Sequence, residues 1–167
     1  MAIIRLSGVV KESIVDGPGI RYVIFTQGCP HKCEGCHNPQ THDFDGGYDG
    51  DTEQLLSEIK ENPLISGVTF SGGEPFCQPE PLTQIAREVH KMKKNIVCYS
   101  GYTFEELIKV SNTKPEILDL LKEVDILIDG KFILEQKSLM LKFRGSKNQR
   151  IIDVKKSLED ETIAIIE

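Results

Sequence analysis

Three cysteines stand at Cys29, Cys33 and Cys36, a Cys-x3-Cys-x2-Cys spacing within eight residues. Thiolates this close on one loop can cap a single metal centre. A [4Fe–4S] cluster ordinarily takes four cysteine ligands, and this loop supplies three. One iron would then lack a protein ligand and stand open to a small molecule. Catalytic zinc sites keep an open position in the same way, and structural ones do not. Two further readings of the spacing stay open. Structural zinc needs a fourth ligand, for which His31, His37 and His42 are at hand, but zinc pairs usually come as Cys-x2-Cys with a second pair further along. No second pair exists here. Redox thiols are the remaining reading. Of the other two cysteines, Cys98 sits in an apolar run and reads as a buried small hydrophobe. Cys77 follows the Gly72-Gly73-Glu74-Pro75 turn, close enough in sequence to approach the same site.

The elements that must position these residues alternate. Residues 22–27, 67–70, 95–99 and 125–129 are β-branched or aromatic runs that predict strands, with another at 149–154 and an edge strand at 3–10. Helices are predicted at 52–60 behind an Asp51 cap, with Leu55, Leu56 and Ile59 on one face, and at 80–93, with Leu82, Ile85, Ala86 and Val89 at helical spacing. Thr103 and Glu106 form a capping-box pattern. Pro115 suits the first turn of a helix that turns Ile117, Leu118 and Leu121 inward. His90 lies on the helix 80–93 and reads as a surface or boundary residue. Asp43–Asp51 is rich in Asp and Gly, but as a calcium loop it lacks the ligands that Gly47 and Leu56 displace. It reads as a solvated loop ending in a cap.

Strand–helix repetition implies right-handed parallel crossovers. A closed eight-fold barrel typically needs ~250 residues, and the chain has 167. The expected fold is α/β, a partial (incomplete) TIM-type βα barrel with a mostly parallel curved sheet. It forms a single domain with its core at about 8–150 and a tail, 151–167, without an assigned role. Such folds gather the loops after the strands on one face. Gly28 with the cysteines, Ser71–Pro75, Ser100-Gly101-Tyr102 and Gly130-Lys131 therefore converge on one site.

Composition sets the exclusions. The net charge is −6, which argues against nonspecific nucleic-acid binding, since that needs a basic footprint; a local basic patch remains between Lys142 and Lys156. No apolar run reaches the ~18 residues of a membrane span, and Met1–Val10 carries no signal-peptide pattern. An odd, clustered set of five cysteines suits a metal or redox site in a reducing compartment better than a disulfide framework. The expectation is a cytoplasmic protein without nucleic-acid or membrane partners.

The segments Asp16-Gly-Pro-Gly-Ile-Arg21 and Thr26-Gln-Gly-Cys-Pro-His-Lys-Cys-Glu-Gly-Cys-His-Asn38 resemble the radical S-adenosylmethionine (SAM) superfamily, and within it the glycyl-radical-enzyme activases. Arg144-Gly-Ser-Lys-Asn-Gln-Arg150 resembles the branch that acts on anaerobic ribonucleotide reductase. The resemblance runs from about Gly8 to Arg150. It implies a [4Fe–4S] cluster on Cys29, Cys33 and Cys36, with SAM chelating the open iron. It also implies SAM contacts from the backbone around Gly35, Cys36 and His37, and from the Gly72-Gly73-Glu74 turn. Gly73 is the direct contact there, and Glu74 balances the ammonium. Family members often carry an aromatic residue where this chain has Gly35, so adenine stacking by that side chain is unavailable. Ser100 or Asp129 would bind the ribose or the methionine end of SAM, and Lys131 its carboxylate; an Asp at a strand end is also often only a cap. The partner implied is the catalytic subunit of anaerobic ribonucleoside-triphosphate reductase, with reduced flavodoxin or a similar carrier as electron donor. The alternatives are an activase of another glycyl radical enzyme, of the pyruvate formate-lyase type, and a zinc-binding interaction module.

Overall fold

A computed structural model describes residues 2–36 and 38–166; His37 lies outside them. The first strand, β1 (Ile3–Ser13), runs antiparallel to β2 (Arg21–Thr26) and, on its other side, to β3 (Tyr48–Asp51). Then α1 (Thr52–Glu61), β4 (Gly67–Gly72), α2 (Pro79–Lys91), β5 (Asn95–Tyr99), α3 (Phe104–Ser111), α4 (Pro115–Glu123) and β6 (Ile126–Asp129) follow. The chain continues through β7 (Arg150–Asp153), α5 (Val154–Asp160) and β8 (Ala164–Ile165). One open sheet results, in the order β3-β1-β2-β4-β5-β6-β7-β8.

The centre, β2-β4-β5-β6, is parallel, as strand–helix–strand crossovers demand. Antiparallel strands extend it at both flanks. This is the expected α/β fold with a curved, unclosed sheet, parallel at its centre. Two local expectations are corrected. The Asp- and Gly-rich stretch does not stay a loop: Tyr48–Asp51 pairs with Ile3–Leu6 as the edge strand. That pairing makes β1 the second strand rather than the edge. Edge pairing is satisfied by a neighbour's free backbone, so it leaves little trace in side-chain pattern. Beyond Ile151 the chain adds α5 and β8 to the fold.

The helices form for legible reasons. Asp51 accepts from the Glu53 amide to start α1, and Pro79 and Pro115 occupy first turns. The Thr103–Glu106 capping box is complete. Leu82, Ile85, Ala86 and Val89 of α2 are fully buried. In α4, Leu120 joins Ile117 and Leu121 in the core, while Leu118 is only half-buried. His90 is half-buried at the end of α2 and hydrogen-bonds Asp125 (2.8 Å), tying that helix to the start of β6.

Strand side chains alternate between two layers. Tyr22, Ile24, Phe70, Ile96, Cys98 and Leu127 belong to the main core with the helices, so Cys98 is the buried apolar filler its context implies. Val23, Thr69, Val97 and Ile128 are buried outside that cluster, on the opposite face. Arg21 plugs that second layer near the strand N-termini. It is fully buried and donates to Thr69 Oγ1 (2.7 Å), Pro18 O (3.0 Å), Val68 O (2.9 Å) and Asn95 O (3.3 Å). Burial pushes its guanidinium down to about 10, which leaves it charged at neutral pH. Replacing it by Met strands those four acceptors. An unsatisfied buried group costs ~1–3 kcal/mol, so Arg21→Met should lower unfolding free energy by about 3 kcal/mol in a urea titration, with the helical circular dichroism of the folded state kept.

Candidate functional site

Parallel register brings the C-terminal ends of β2, β4, β5 and β6 level, with Thr26 opposite Gly72 and Tyr99 opposite Ile128. The loops that follow enclose a cavity of about 390 Å³. Cys29, Cys33, Cys36, Gly72, Gly73 and Ser100 all line it. The convergence read from the sequence is therefore present. Cys77 is exposed and does not line this cavity.

A single carboxylate fastens the loops together. Glu74 is buried to 1 % exposure. It accepts from His31 Nε2 (2.7 Å), Ser100 Oγ (2.9 Å), the Gly101 amide (2.8 Å) and the Phe76 amide (3.1 Å). His31 lies between two of the cysteines, and its ring also meets Tyr102 edge-on with centroids 4.5 Å apart. A side chain on Gly101 would collide with the His31 ring. Likewise, one on Gly73 would strike Gly28, and one on Gly72, whose φ is +99°, would strike Thr26. The glycines are thus needed for loop-on-loop contact. The Gly73 and Glu74 amides reinforce it by donating to Thr26 O and Gly28 O, both at 2.8 Å.

Other nominated residues stand apart from the cavity. Asp129 accepts from Arg150 Nε (3.0 Å) and from the Phe104 amide (2.7 Å), which caps α3. Strand alternation explains this, because Asp129 shares its parity with Leu127 and points to the helix layer. Lys131 is exposed and Gly35 packs on Leu134; neither lines the cavity, and Glu74 stands behind the wall.

The sequence allows two readings of the segment 144–150, a polar loop before the last strand or an edge of the site that shapes SAM or partner docking. Most of its polar groups are staples. Gln149 Oε1 accepts from the Gly145 and Ser146 amides, Gln149 Nε2 donates to Gly130 O (3.0 Å), and Asn148 Nδ2 donates to Lys131 O (2.8 Å). Arg144 differs. It lines the cavity and uses Nη1 on Gln149 O (2.8 Å), but its buried Nε has no partner. Among the described residues, three buried side-chain polar atoms lack partners, and two of them, Arg144 Nε and His42 Nε2, belong to residues lining this cavity. Buried polar groups are otherwise satisfied in native proteins, so these two residues on the cavity wall stand out as incompletely partnered by the protein itself. The signal available in the sequence was an Arg beside Gly145 and Ser146.

The donor set suits an iron–sulfur cluster. Three soft thiols line one cavity, Cys29 is 8 % exposed, and the Asn38 amide lies 3.4 Å from Cys36 Sγ as a donor. Burial pushes the Cys29 thiol up, and the His31 and Lys32 amides pull it partly back. Among the described residues no three Cys, His, Asp or Glu side chains are gathered to share one metal ion. A four-iron cluster asks for less, because each thiolate caps its own iron.

Comparison with known proteins adds the following. The family described as "4Fe-4S single cluster domain" matches residues 15–152. An anaerobic ribonucleoside-triphosphate reductase-activating protein of Vibrio cholerae is 35% identical over 147 residues, covering 83% of this chain and 90% of its own. The protein of the same name from Enterobacteria phage T4 is 37% identical, covering 82% and 86%. A pyruvate formate-lyase-activating enzyme of Clostridium pasteurianum is 38% identical over 130 residues, covering 72% of this chain and 53% of its own.

The Glu74 network makes a testable demand. Glu74→Gln turns an all-acceptor carboxylate into an amide that presents N–H to donors. It should cost ~1–3 kcal/mol of stability in denaturant titration and raise hydrogen exchange at the Gly101 amide. An unchanged Gly101 exchange rate would show that the carboxylate does not hold that loop.

Proposed function

Because this chain belongs to the 4Fe–4S single cluster domain family, together with the anaerobic ribonucleoside-triphosphate reductase-activating proteins, we propose that it is a radical SAM activase that makes the glycyl radical of that reductase. The observation that carries the reading is the meeting of the three cysteines and the Gly72–Gly73 backbone on the wall of one cavity. A reduced [4Fe–4S] cluster bound there would supply the electron that splits the SAM sulfonium into methionine and a 5′-deoxyadenosyl radical, and that radical would take a hydrogen atom from a glycine Cα of the partner. The electron comes from a low-potential one-electron carrier such as reduced flavodoxin.

The chain's own residues bind and orient. Cys29, Cys33 and Cys36 hold three irons and leave the fourth to SAM. The Gly72–Gly73 backbone receives the ammonium of SAM. Glu74 acts one step back, by fixing the His31 loop and the Ser100–Gly101 loop against that backbone. The carboxylate role that the sequence suggested for Lys131 passes to Arg144, which lines the cavity and keeps an Nε without a partner in the protein. Guanidinium and carboxylate match as a fork. Coverage favours the reductase over pyruvate formate-lyase as partner, since this chain spans 90% of the Vibrio relative and 53% of the Clostridium one.

Anaerobic reconstitution followed by dithionite and SAM should yield 5′-deoxyadenosine, and adding the reductase catalytic subunit should yield a glycyl-radical doublet in EPR. Cys33→Ala should abolish both; persistence of 5′-deoxyadenosine in that variant would break the ligand assignment. Arg144→Gln should weaken SAM binding by ~10–100-fold, the worth of a charge-assisted hydrogen bond, while iron content stays at the wild-type level. Equilibrium dialysis with labelled SAM reads the first and iron analysis the second.

A further inference from the structure

Residues 137–146 form a closed hairpin. Its base is bridged between Lys137 and Ser146, with further bonds from the Ser138 amide to Gly145 O (3.2 Å) and from the Lys147 amide to Gln136 O (3.0 Å). Ser146 is fully buried and its hydroxyl accepts from the Ile133 amide (3.2 Å). On the inner side, Tyr99 donates its hydroxyl to Phe143 O (2.8 Å), and Phe143 sits in a left-handed conformation (φ +64°). A non-glycine residue there is strained and persists only where its surroundings fix it.

This well-anchored base displays an apolar tip. Leu139 is 86% exposed and Met140 93%. The next residue, Leu141, lines the cavity. Val15 also lines the cavity and is 70% exposed, beside the equally bare Ile14. A loop tip is ordinarily polar. A pinned tip with two bare side chains beside a cavity mouth is the profile of a contact surface, and its fixed base lowers the entropy lost on binding. Charge adds direction. Residues 136–149 contain no Asp or Glu and expose Lys137, Lys142 and Lys147, in a chain of net charge −6.

We propose that this hairpin is the docking finger for the partner enzyme. Its Leu139–Met140 tip seats in an apolar recess beside the partner's glycine-bearing segment, and its lysines face an acidic rim around that recess. The proposal rests on the activase reading, which requires a partner backbone to cross this mouth. Two occupants are thereby distinguished: the reductase catalytic subunit, which is the one proposed, and a second copy of this chain.

Two variants test it, Leu139→Ser/Met140→Ser and Lys137→Glu/Lys142→Glu/Lys147→Glu. All five side chains are exposed. Both variants should form 5′-deoxyadenosine from dithionite and SAM at the wild-type rate without partner. Each should raise the Kd for the reductase catalytic subunit at least ~10-fold, as loss of a hot spot does, and lower the glycyl-radical signal at subsaturating partner in proportion. Wild-type Kd should rise with salt, and the glutamate variant should flatten that dependence. Wild-type affinity in both variants, with the wild-type chain active, overturns the docking proposal alone. Loss of a homodimer on size exclusion with partner affinity retained also overturns it and assigns the tip to a second copy. A wild-type chain that neither binds the reductase nor raises a glycyl radical overturns the activase reading and the docking with it.

Discussion

The Glu74 carboxylate, almost cut off from water, is the point on which the functional face depends. A buried charge is tolerated only when its lone pairs are saturated, and here donors from the cysteine loop, the loop after β5 and its own turn saturate it. The constraint works in both directions. The loops have fixed places because the carboxylate needs their donors, and the carboxylate stays buried because three close glycines let the backbones meet. Position within the cysteine loop is thereby inherited from residues that touch no metal.

The sheet divides the labour between its two ends. Near the strand N-termini, Arg21 fills the inner layer and ties β2, β4 and β5 through their carbonyl and hydroxyl groups. At the C-terminal ends the same strands release glycine-containing turns around a cavity. A buried plug below and site-forming loops above is the arrangement by which βα folds keep stability and chemistry apart. The antiparallel flanks extend the sheet on either side without disturbing that register.

The segment before β7 links the cavity to the surface. Gln149 and Asn148 knit it to the end of β6, Arg144 faces inward, and the hairpin above points outward. One short stretch of chain thus reaches from the cavity wall to the exposed Leu139–Met140 tip. Its polar residues are accounted for chiefly by backbone acceptors and donors that would otherwise go unsatisfied.

The sequence by itself determined what rests on local spacing: the cysteine triplet, the strand–helix alternation, the Thr103 capping box and the burial of Cys98. These follow from side-chain periods and short-range bonds, which are written along the chain. Only the tertiary structure decided which polar residues are free. Asp129 lies at a strand end as the sequence suggests, but strand parity and Arg150 claim it. Glu74 sits in the expected turn, but its donors come from residues up to 43 positions away. Arg144 keeps an Nε without a partner in the protein, while Gln149 O takes its Nη1. Availability depends on partners that folding brings from elsewhere, and no local pattern records it.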